Sequence, residues 1–295
     1  MPFATILKSM RLPFVILSPV CVFLGASVAN FEGGNSDYLN LGLALLGAVL
    51  GHISVNCLNE YSDFKSGLDL NTFKTPFSGG SGALPDNPSY ARFVLLAGVL
   101  CLMVILSIGS YFLYLYGFAI LPLGLVAVFL ILAYTNWLNK NPLLCLIAPG
   151  IGFGPLMVGG THFVLTGAYS NLSWLVSLVP FFLVSNLLLL NQYPDIEADK
   201  GAGRRHLPIA YGVKVGNMVY AAFIMATLLV VSLGTYFNHL PPLSLIALLP
   251  LILALFSISG AIKFGADIGQ HPQFMAANVG VSLLTPLLLG IALQV

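Results

Sequence analysis

Charge is what this sequence has least of. Only 7% of its 295 residues are Asp, Glu, Lys or Arg, whereas 58% are hydrophobic. A soluble globule of this length needs far more polar surface to face water, so the chain is expected to be an integral membrane protein. Basic residues are as scarce as acidic ones, 11 against 10. They form no clustered basic face of the kind that holds a duplex, which argues against a nucleic-acid partner. Cysteine is scarce too: Cys21, Cys57, Cys101 and Cys145 stand singly in or beside apolar runs, without metal-ligand spacing, and read as small buried hydrophobes. The sequence has no Walker loop, no dinucleotide fingerprint and no arguable Ser/His/Asp arrangement. Neither a separate soluble domain nor an obligate protein partner is evident. The first apolar run is long enough to span and is followed by no small-residue cleavage pattern, so it is expected to be a helix and not a removable leader.

What is present is a series of apolar runs. A span takes about 20 mainly apolar residues, and candidates lie at 12–30, 39–59, 93–111, 115–135, 143–165, 173–193, 216–236, 242–262 and 275–294. The expected fold is therefore all-α, nine transmembrane helices in a single membrane-embedded domain, 1–295. Pro149, Pro155 and neighbouring glycines in the fifth run suggest a kink. Nine spans put every Lys and Arg of the chain on one side of the membrane. By the positive-inside rule this makes the N-terminus cytoplasmic and puts the C-terminus on the opposite side, in the inner membrane if the source is bacterial.

Two polar stretches interrupt this apolar background, Asn56 to Asp69 and Asn191 to Arg205. Between them they hold Glu60, Asp63, Asp69, Asp195, Glu197 and Asp199, six of the ten acids. In each, an Asn precedes an Asp by four residues, Asn59 with Asp63 and Asn191 with Asp195, which on a helix puts both on one face. Both stretches follow an even-numbered span, the second and the sixth, and open onto the longer loops 59–92 and 191–214. That equivalence suggests an internal pseudo-repeat and two acidic motifs facing one cavity on the cytoplasmic side.

An acid at a membrane boundary costs desolvation free energy unless it is paired, wetted or bound to a cation. Glu32, Asp37, Asp86 and Asp267 read as solvated loop charges, and His52 and His162 as packed or hydrogen-bonded residues. Clustered carboxylates and amide oxygens suit Mg2+, which is commonly held by one or two carboxylates plus substrate phosphates. Cations stand beside these acids: Lys65 and Lys74 in the first loop, Lys200, Arg204 and Arg205 in the second. Acids for a metal and bases for phosphate together describe a diphosphate site, in which a metal spreads the charge of a departing group. The glycines of Thr75 to Pro85 would let backbone N–H groups approach an anion, although a plain connecting loop reads equally well.

At this point the residues resemble the UbiA superfamily of intramembrane prenyltransferases, over essentially the whole chain. An Asn-x-x-x-Asp motif after helix two matches Asn59, Asp63 and Asp69, and a second acidic motif after helix six matches Asn191, Asp195 and Asp199. Nine helices fit the family fold. Three passages are similar to the branch that prenylates dihydroxynaphthoate in menaquinone synthesis: Asn59 to Asp69, Asp195 to Lys200 followed by Gly203-Arg204-Arg205, and Phe153 to Gly167. Gly67 stands where the hydroxybenzoate branch usually has a third acid. The Lys74 to Gly82 loop and His206, in place of a common Thr, depart from the menaquinone pattern.

The resemblance implies an allylic polyprenyl diphosphate held through Mg2+, ionised, and attacked by an electron-rich ring, with the tail between helices and open to membrane lipid. It assigns Asn59, Asp63, Asp69, Asn191, Asp195 and Asp199 to metal and diphosphate. Lys65, Lys74, Lys140, Lys200 and Arg204 are candidates for phosphate contact. Tyr134, where the family has a Tyr at the end of helix four, is a candidate to stabilise the cation. Prenyl transfer to hydroxybenzoate or another acceptor, a terpene cyclase of the same fold, and a secondary transporter remain alternatives.

Overall fold

The computed structural model describes residues 2–34, 37–72 and 74–295. After a short N-terminal helix, Pro2–Ser9, the spans are α1 Leu12–Phe31, α2 Tyr38–Ser66, α3 Ala91–Tyr116, α4 Leu121–Ala133 and α5 Pro142–Thr166. They continue with α6 Asn171–Asn191, α7 Leu207–Tyr236, α8 Pro242–Gln270 and α9 Pro272–Ala292. Among the described residues eight stretches are long and apolar enough to cross a bilayer. One of them, the 46-residue run Pro88–Ala133, is α3 and α4 joined. A straight helix of that length would reach about 70 Å, over twice the hydrocarbon thickness. Gly117 breaks it with φ 61° and ψ −153°, a conformation that glycine alone adopts readily. Nine segments result, although α4, at 13 residues, is short for a span.

Side-chain caps start several helices where the chain re-enters the bundle. Asp37 accepts from the Leu39 and Asn40 N–H groups at 2.9 and 3.2 Å, and Asn141 and Ser170 open α5 and α6 in the same way. The expected kink in α5 is a π-helical segment, Gly152–Gly159, which carries Pro155 without breaking the helix. Gly150 and Gly154 let α5 approach the α6 backbone at Phe181 and Ser177 closely enough that a Cβ would collide.

The core lies among α1, α5, α6, α7, α8 and α9, around Leu24, Leu189, Tyr220 and Leu289. Inside it, Asn186 Nδ2 donates to the Tyr220 carbonyl at 3.0 Å, Tyr220 Oη to Asn278 Oδ1 at 2.8 Å, and Asn278 Nδ2 to the Asn186 carbonyl at 3.2 Å. These bonds tie α6, α7 and α9 together where no water competes. The outside of the bundle is studded with exposed Leu, Ile, Phe and Met, such as Leu100, Met103 and Ile252, the surface of a protein immersed in lipid.

Two details of the acidic stretches differ from the sequence reading. The first stretch is not a loop at its start, because α2 continues to Ser66 and carries Asn59 and Asp63 on its last turns before Gly67 ends it with φ 80°. The second is not one helical face. α6 ends at Asn191, a turn containing Pro194 follows, and Asp195 stands at the head of a new short helix, Ile196–Gly201. Pro194 has no N–H to continue the α6 ladder, so Asn191 and Asp195 share a spacing but not a helix.

Candidate active site

A cavity of about 620 Å³ opens between the α2–α3–α4 sector and α5 and α6. Along α2 its lining residues run from Leu43 and Ala44 through Gly47, Gly51, Val55 and Asn59 to Asp63. That is one face of a helix at 3.6 residues per turn, apolar at one end and polar at the other. The polar end gathers Asn59, Asp63, Asp69, Asn191, Asp195, Asp199, Arg204 and Tyr134. Both acidic stretches therefore face one cavity, although they are more than 120 residues apart in sequence.

The polar groups divide into two sets. Asp63, Asp199 and Arg204 are already paired: the Arg204 guanidinium reaches from Nη2 to Asp63 Oδ1 and from Nη1 to Asp199 Oδ1, the latter at 2.9 Å. Asn59 Nδ2 donates to Asp63 Oδ2 at 2.7 Å, and His206 Nε2 lies 3.0 Å from Asp199 Oδ2. Thr135 Oγ1 donates to Asn59 Oδ1 at 3.1 Å, which fixes the amide. Burial works against charge on Arg204, but the Asp63 and Asp199 carboxylates outweigh it and hold the guanidinium firmly protonated.

The other set is unpaired. Asp69 Oδ2, Asn191 Oδ1, Asp195 Oδ1 and Asn139 Oδ1 are buried and find no hydrogen-bond partner among the described residues. All four belong to residues lining the cavity. Burying such oxygens unsatisfied costs roughly 1–3 kcal/mol each, and hard oxygen donors of this kind suit Mg2+. Burial, then the neighbouring Glu60 and Asp63 charges, pushes the Asp69 carboxyl up to about 7. Burial and Asp199 do the same to Asp195, also to about 7. A divalent cation is the partner that would let both ionise. No three acidic, His or Cys side chains among the described residues converge on one point, so an ion here would take one or two carboxylates and complete its shell from amides and ligand oxygens.

The glycine loop that the sequence left undecided joins the two stretches. Gly79 donates its N–H to Asp195 Oδ2 at 3.0 Å. Gly80, with φ 72°, lies so close to Asp69 that a Cβ would sit 2.6 Å from Oδ1. Consecutive glycines thus touch one acid from each stretch, and the Ser81 hydroxyl and N–H hold Glu60 behind them.

Of the basic candidates, only Arg204 faces the cavity. Lys74 pairs with Asp86 at 3.7 Å, a carboxyl that Lys8 also binds and holds below its ordinary range. Lys65 lies over the Tyr61 ring at 5.9 Å, and Lys140 and Lys200 are exposed to solvent. Sequence reasoning did not single out Arg11 or Glu60. Arg11 lines the cavity from the head of α1, in a left-handed conformation at φ 51°, with Nη2 3.4 Å from Glu60 Oε2. The readable signal was a lone Arg before Leu12-Pro13 at the start of an apolar run. Glu60 is fully buried, which its place in an acidic stretch did not disclose. Tyr134 lines the cavity, and burial keeps its hydroxyl protonated, so it offers a neutral ring and not a base.

His52 and His162 are hydrogen-bonded as expected, to Ser18 and Glu32. Asp37 caps a helix and Asp86 is a surface ion pair.

Residues 18–267 match the model of the UbiA prenyltransferase family. The chain is 29% identical over 226 residues to a 1,4-dihydroxy-2-naphthoate octaprenyltransferase of Bacillus subtilis, covering 72% of this chain and 68% of that one. It is 24% identical over 288 residues to a 2-carboxy-1,4-naphthoquinone phytyltransferase of Synechocystis, covering 92% and 88%. Among solved structures, a UbiA homolog from Archaeoglobus fulgidus bound to DMAPP and Mg2+ superposes with a TM-score of 0.64 at 16% identity, over 98% of this chain and 99% of that one. At that identity the likeness speaks for the fold.

Proposed function

The chain belongs to the UbiA prenyltransferase family, and from that premise we propose that it transfers a polyprenyl group from an allylic diphosphate to dihydroxynaphthoate, with Mg2+, as a step of menaquinone synthesis. The observation that carries this reading is the set of buried, unpartnered oxygens on Asp69, Asn191 and Asp195, beside Arg204, at the mouth of an apolar chamber. The naphthoate acceptor is supported by the similarity to proteins whose names specify naphthoate substrates.

Asp69, Asn191 and Asp195 would hold Mg2+, which when bound would supply positive charge to offset the charge that develops on the departing diphosphate. Asp69, Asn191 and Asp195 supply the free oxygens. Asn59, itself fixed by Thr135, orients Asp63, and His206 orients Asp199. Arg204 would donate hydrogen bonds to the diphosphate, and Arg11 also lines the cavity. Tyr134 offers a π-face to the allylic cation and no base to quench it. The apolar wall keeps water from the cation so that the ring captures it. The Lys and Arg segregation in the sequence supports a cytoplasmic N-terminus and a site that opens to the cytoplasm.

The test uses purified protein in detergent with Mg2+, a polyprenyl diphosphate and either dihydroxynaphthoate or para-hydroxybenzoate, read by mass spectrometry. A prenylated naphthoate-derived product is expected. Product from para-hydroxybenzoate alone would overturn the acceptor, a cyclised hydrocarbon without either ring would make this a cyclase, and no diphosphate release in detergent together with ion-coupled flux after reconstitution into sealed vesicles would make it a transporter.

A further inference from the structure

Glu60 is the most deeply buried acid among the described residues, with none of its surface exposed. It stands on α2 beside Asn59 and three residues before Asp63, yet it does not line the cavity that those two face. Its carboxylate meets the back of the glycine loop instead. Oε1 accepts from the Ser81 hydroxyl, and Oε2 accepts from the Ser81 N–H at 3.1 Å and from Arg11 Nη2 at 3.4 Å. A carboxylate withdrawn from water is costly unless it is hydrogen-bonded and paired. Here the bonds join three separate pieces of chain: the end of α2, the loop, and the residue that precedes α1.

The loop needs such a hold. Residues 74–82 form no helix, and Gly79, Gly80 and Gly82 adopt left-handed φ of 79°, 72° and 69°, so no ladder of backbone bonds fixes their path. The Ser81 hydroxyl also accepts from the Ala83 N–H at 3.0 Å, which links the contact with Glu60 to the short helix Ala83–Asp86 that follows. The consequence shows at the two glycines before Ser81. Gly79 donates to Asp195 Oδ2, and Gly80 lies against Asp69 Oδ1. The remaining oxygens, Asp195 Oδ1 and Asp69 Oδ2, are the ones without partners. The loop thus covers one oxygen of each acid and leaves the other free.

We propose that Glu60 is the positioning residue of this site: by holding Ser81 it seats Gly79 and Gly80 on Asp195 and Asp69, and so fixes which oxygen of each acid faces the metal. The proposal rests on the Mg2+ and diphosphate reading above and adds the residue that keeps its ligands in place. Glu60 touches neither metal nor substrate and acts through the loop. Groups that orient metal ligands in this way commonly carry tenfold or more of the metal affinity. Contact, and not charge alone, is what the geometry requires. Gln at position 60 can turn its oxygen to the Ser81 N–H and Arg11 and its amide to the Ser81 hydroxyl oxygen, which keeps the loop held without the negative charge. Ala keeps neither.

The experiment raises Mg2+ over purified protein in detergent with inorganic pyrophosphate and follows the rise in melting midpoint, which reports binding by mass action without turnover. Diphosphate release from a polyprenyl diphosphate with dihydroxynaphthoate is measured over the same Mg2+ range. Glu60→Ala is expected to need at least about tenfold more Mg2+ in both readouts, and Glu60→Gln to stay within about threefold of wild type because it keeps the contacts. Ser81→Ala, which removes no charge and does not face the cavity, is expected to need at least about threefold more. Ser54→Ala removes a buried hydroxyl from the same helix, one that donates to the Gly98 carbonyl at 2.8 Å away from the loop. It should lower the melting midpoint and leave the Mg2+ dependence alone, as a merely structural role would. The proposal is overturned if Ser81→Ala keeps the wild-type Mg2+ dependence, or if Glu60→Gln is as impaired as Glu60→Ala, which would make the effect one of charge. Should Glu60→Ala fail to fold, Ser81→Ala decides alone. If wild type itself shows neither a Mg2+-dependent melting shift nor diphosphate release, the metal and diphosphate reading falls, and the role of Glu60 with it.

Discussion

Replacing Gly80 by Ala tests how the glycine loop serves the metal. The new Cβ would lie 2.6 Å from Asp69 Oδ1, where ordinary contact begins at 3.4 Å. The carboxylate would have to withdraw by roughly 0.8 Å, several times the tolerance of about 0.2 Å within which metal–oxygen distances are held. An L-residue at φ 72° also carries left-handed strain of roughly 1–2 kcal/mol. Gly33→Ala isolates that second effect, because Gly33 has φ 81° and open space around its Cβ position, away from the site. Both variants should lose comparable thermal stability in detergent. Only Gly80→Ala should raise the Mg2+ concentration needed for half-maximal diphosphate release, by at least about tenfold, equivalent to about 1.4 kcal/mol. An unchanged Mg2+ dependence in Gly80→Ala, or an equal shift in Gly33→Ala, would refute the argument that the loop fixes a metal ligand.

Arg204→Gln leaves Asp63 and Asp199 buried without their cation, an omission that costs about 3–5 kcal/mol for well-buried pairs. Its unfolding midpoint in EDTA should fall well below that of wild type, with partial recovery in Mg2+. Stability without metal should also depend on pH. Burial holds the Asp69 and Asp195 carboxyls up at about 7, above the ordinary carboxylate range. The stability they lend as neutral acids is full below about pH 4 and is lost as pH rises through 7. Melting scans in EDTA at pH 5 and pH 8 should show the decline, and the double variant Asp69→Asn, Asp195→Asn should flatten it. Lys65→Ala, Lys140→Ala and Lys200→Ala remove exposed charges that do not face the cavity. Each should change the apparent KM for prenyl diphosphate by less than about threefold, as expected for screened surface charge, and a tenfold rise in any of them would give that lysine a direct phosphate contact.

The membrane class and the helical fold were legible in the sequence because lipid allows so little choice. With 7% charge, the chain had to satisfy its backbone within helices. The pairing of Asn59 with Asp63 was also legible, because α2 runs through both and helix geometry alone brings them to 2.7 Å. The same spacing at Asn191 and Asp195 misled, because Pro194 ends the ladder between them. The basic residues were the least readable. Five cations stood beside acids in sequence, yet only Arg204 turns into the cavity, because a long flexible side chain at a helix end goes wherever its nearest counter-charge lies. Lys74 found Asp86, which is distant from the acidic stretches in function though close in the chain.

The sequence by itself determined the solvent this protein lives in, its helices and the two stretches in which most of its acids gather, since these follow from composition and local spacing. Tertiary structure decided which of those residues meet. The placement of α2 across one cavity from α5 and α6 brought acids from two distant stretches together and left Asp69 Oδ2 and Asp195 Oδ1 without partners while Arg204 took Asp63 and Asp199. Those outcomes depend on contacts between residues far apart in the chain, and no local pattern encodes a contact whose other half lies more than a hundred residues away.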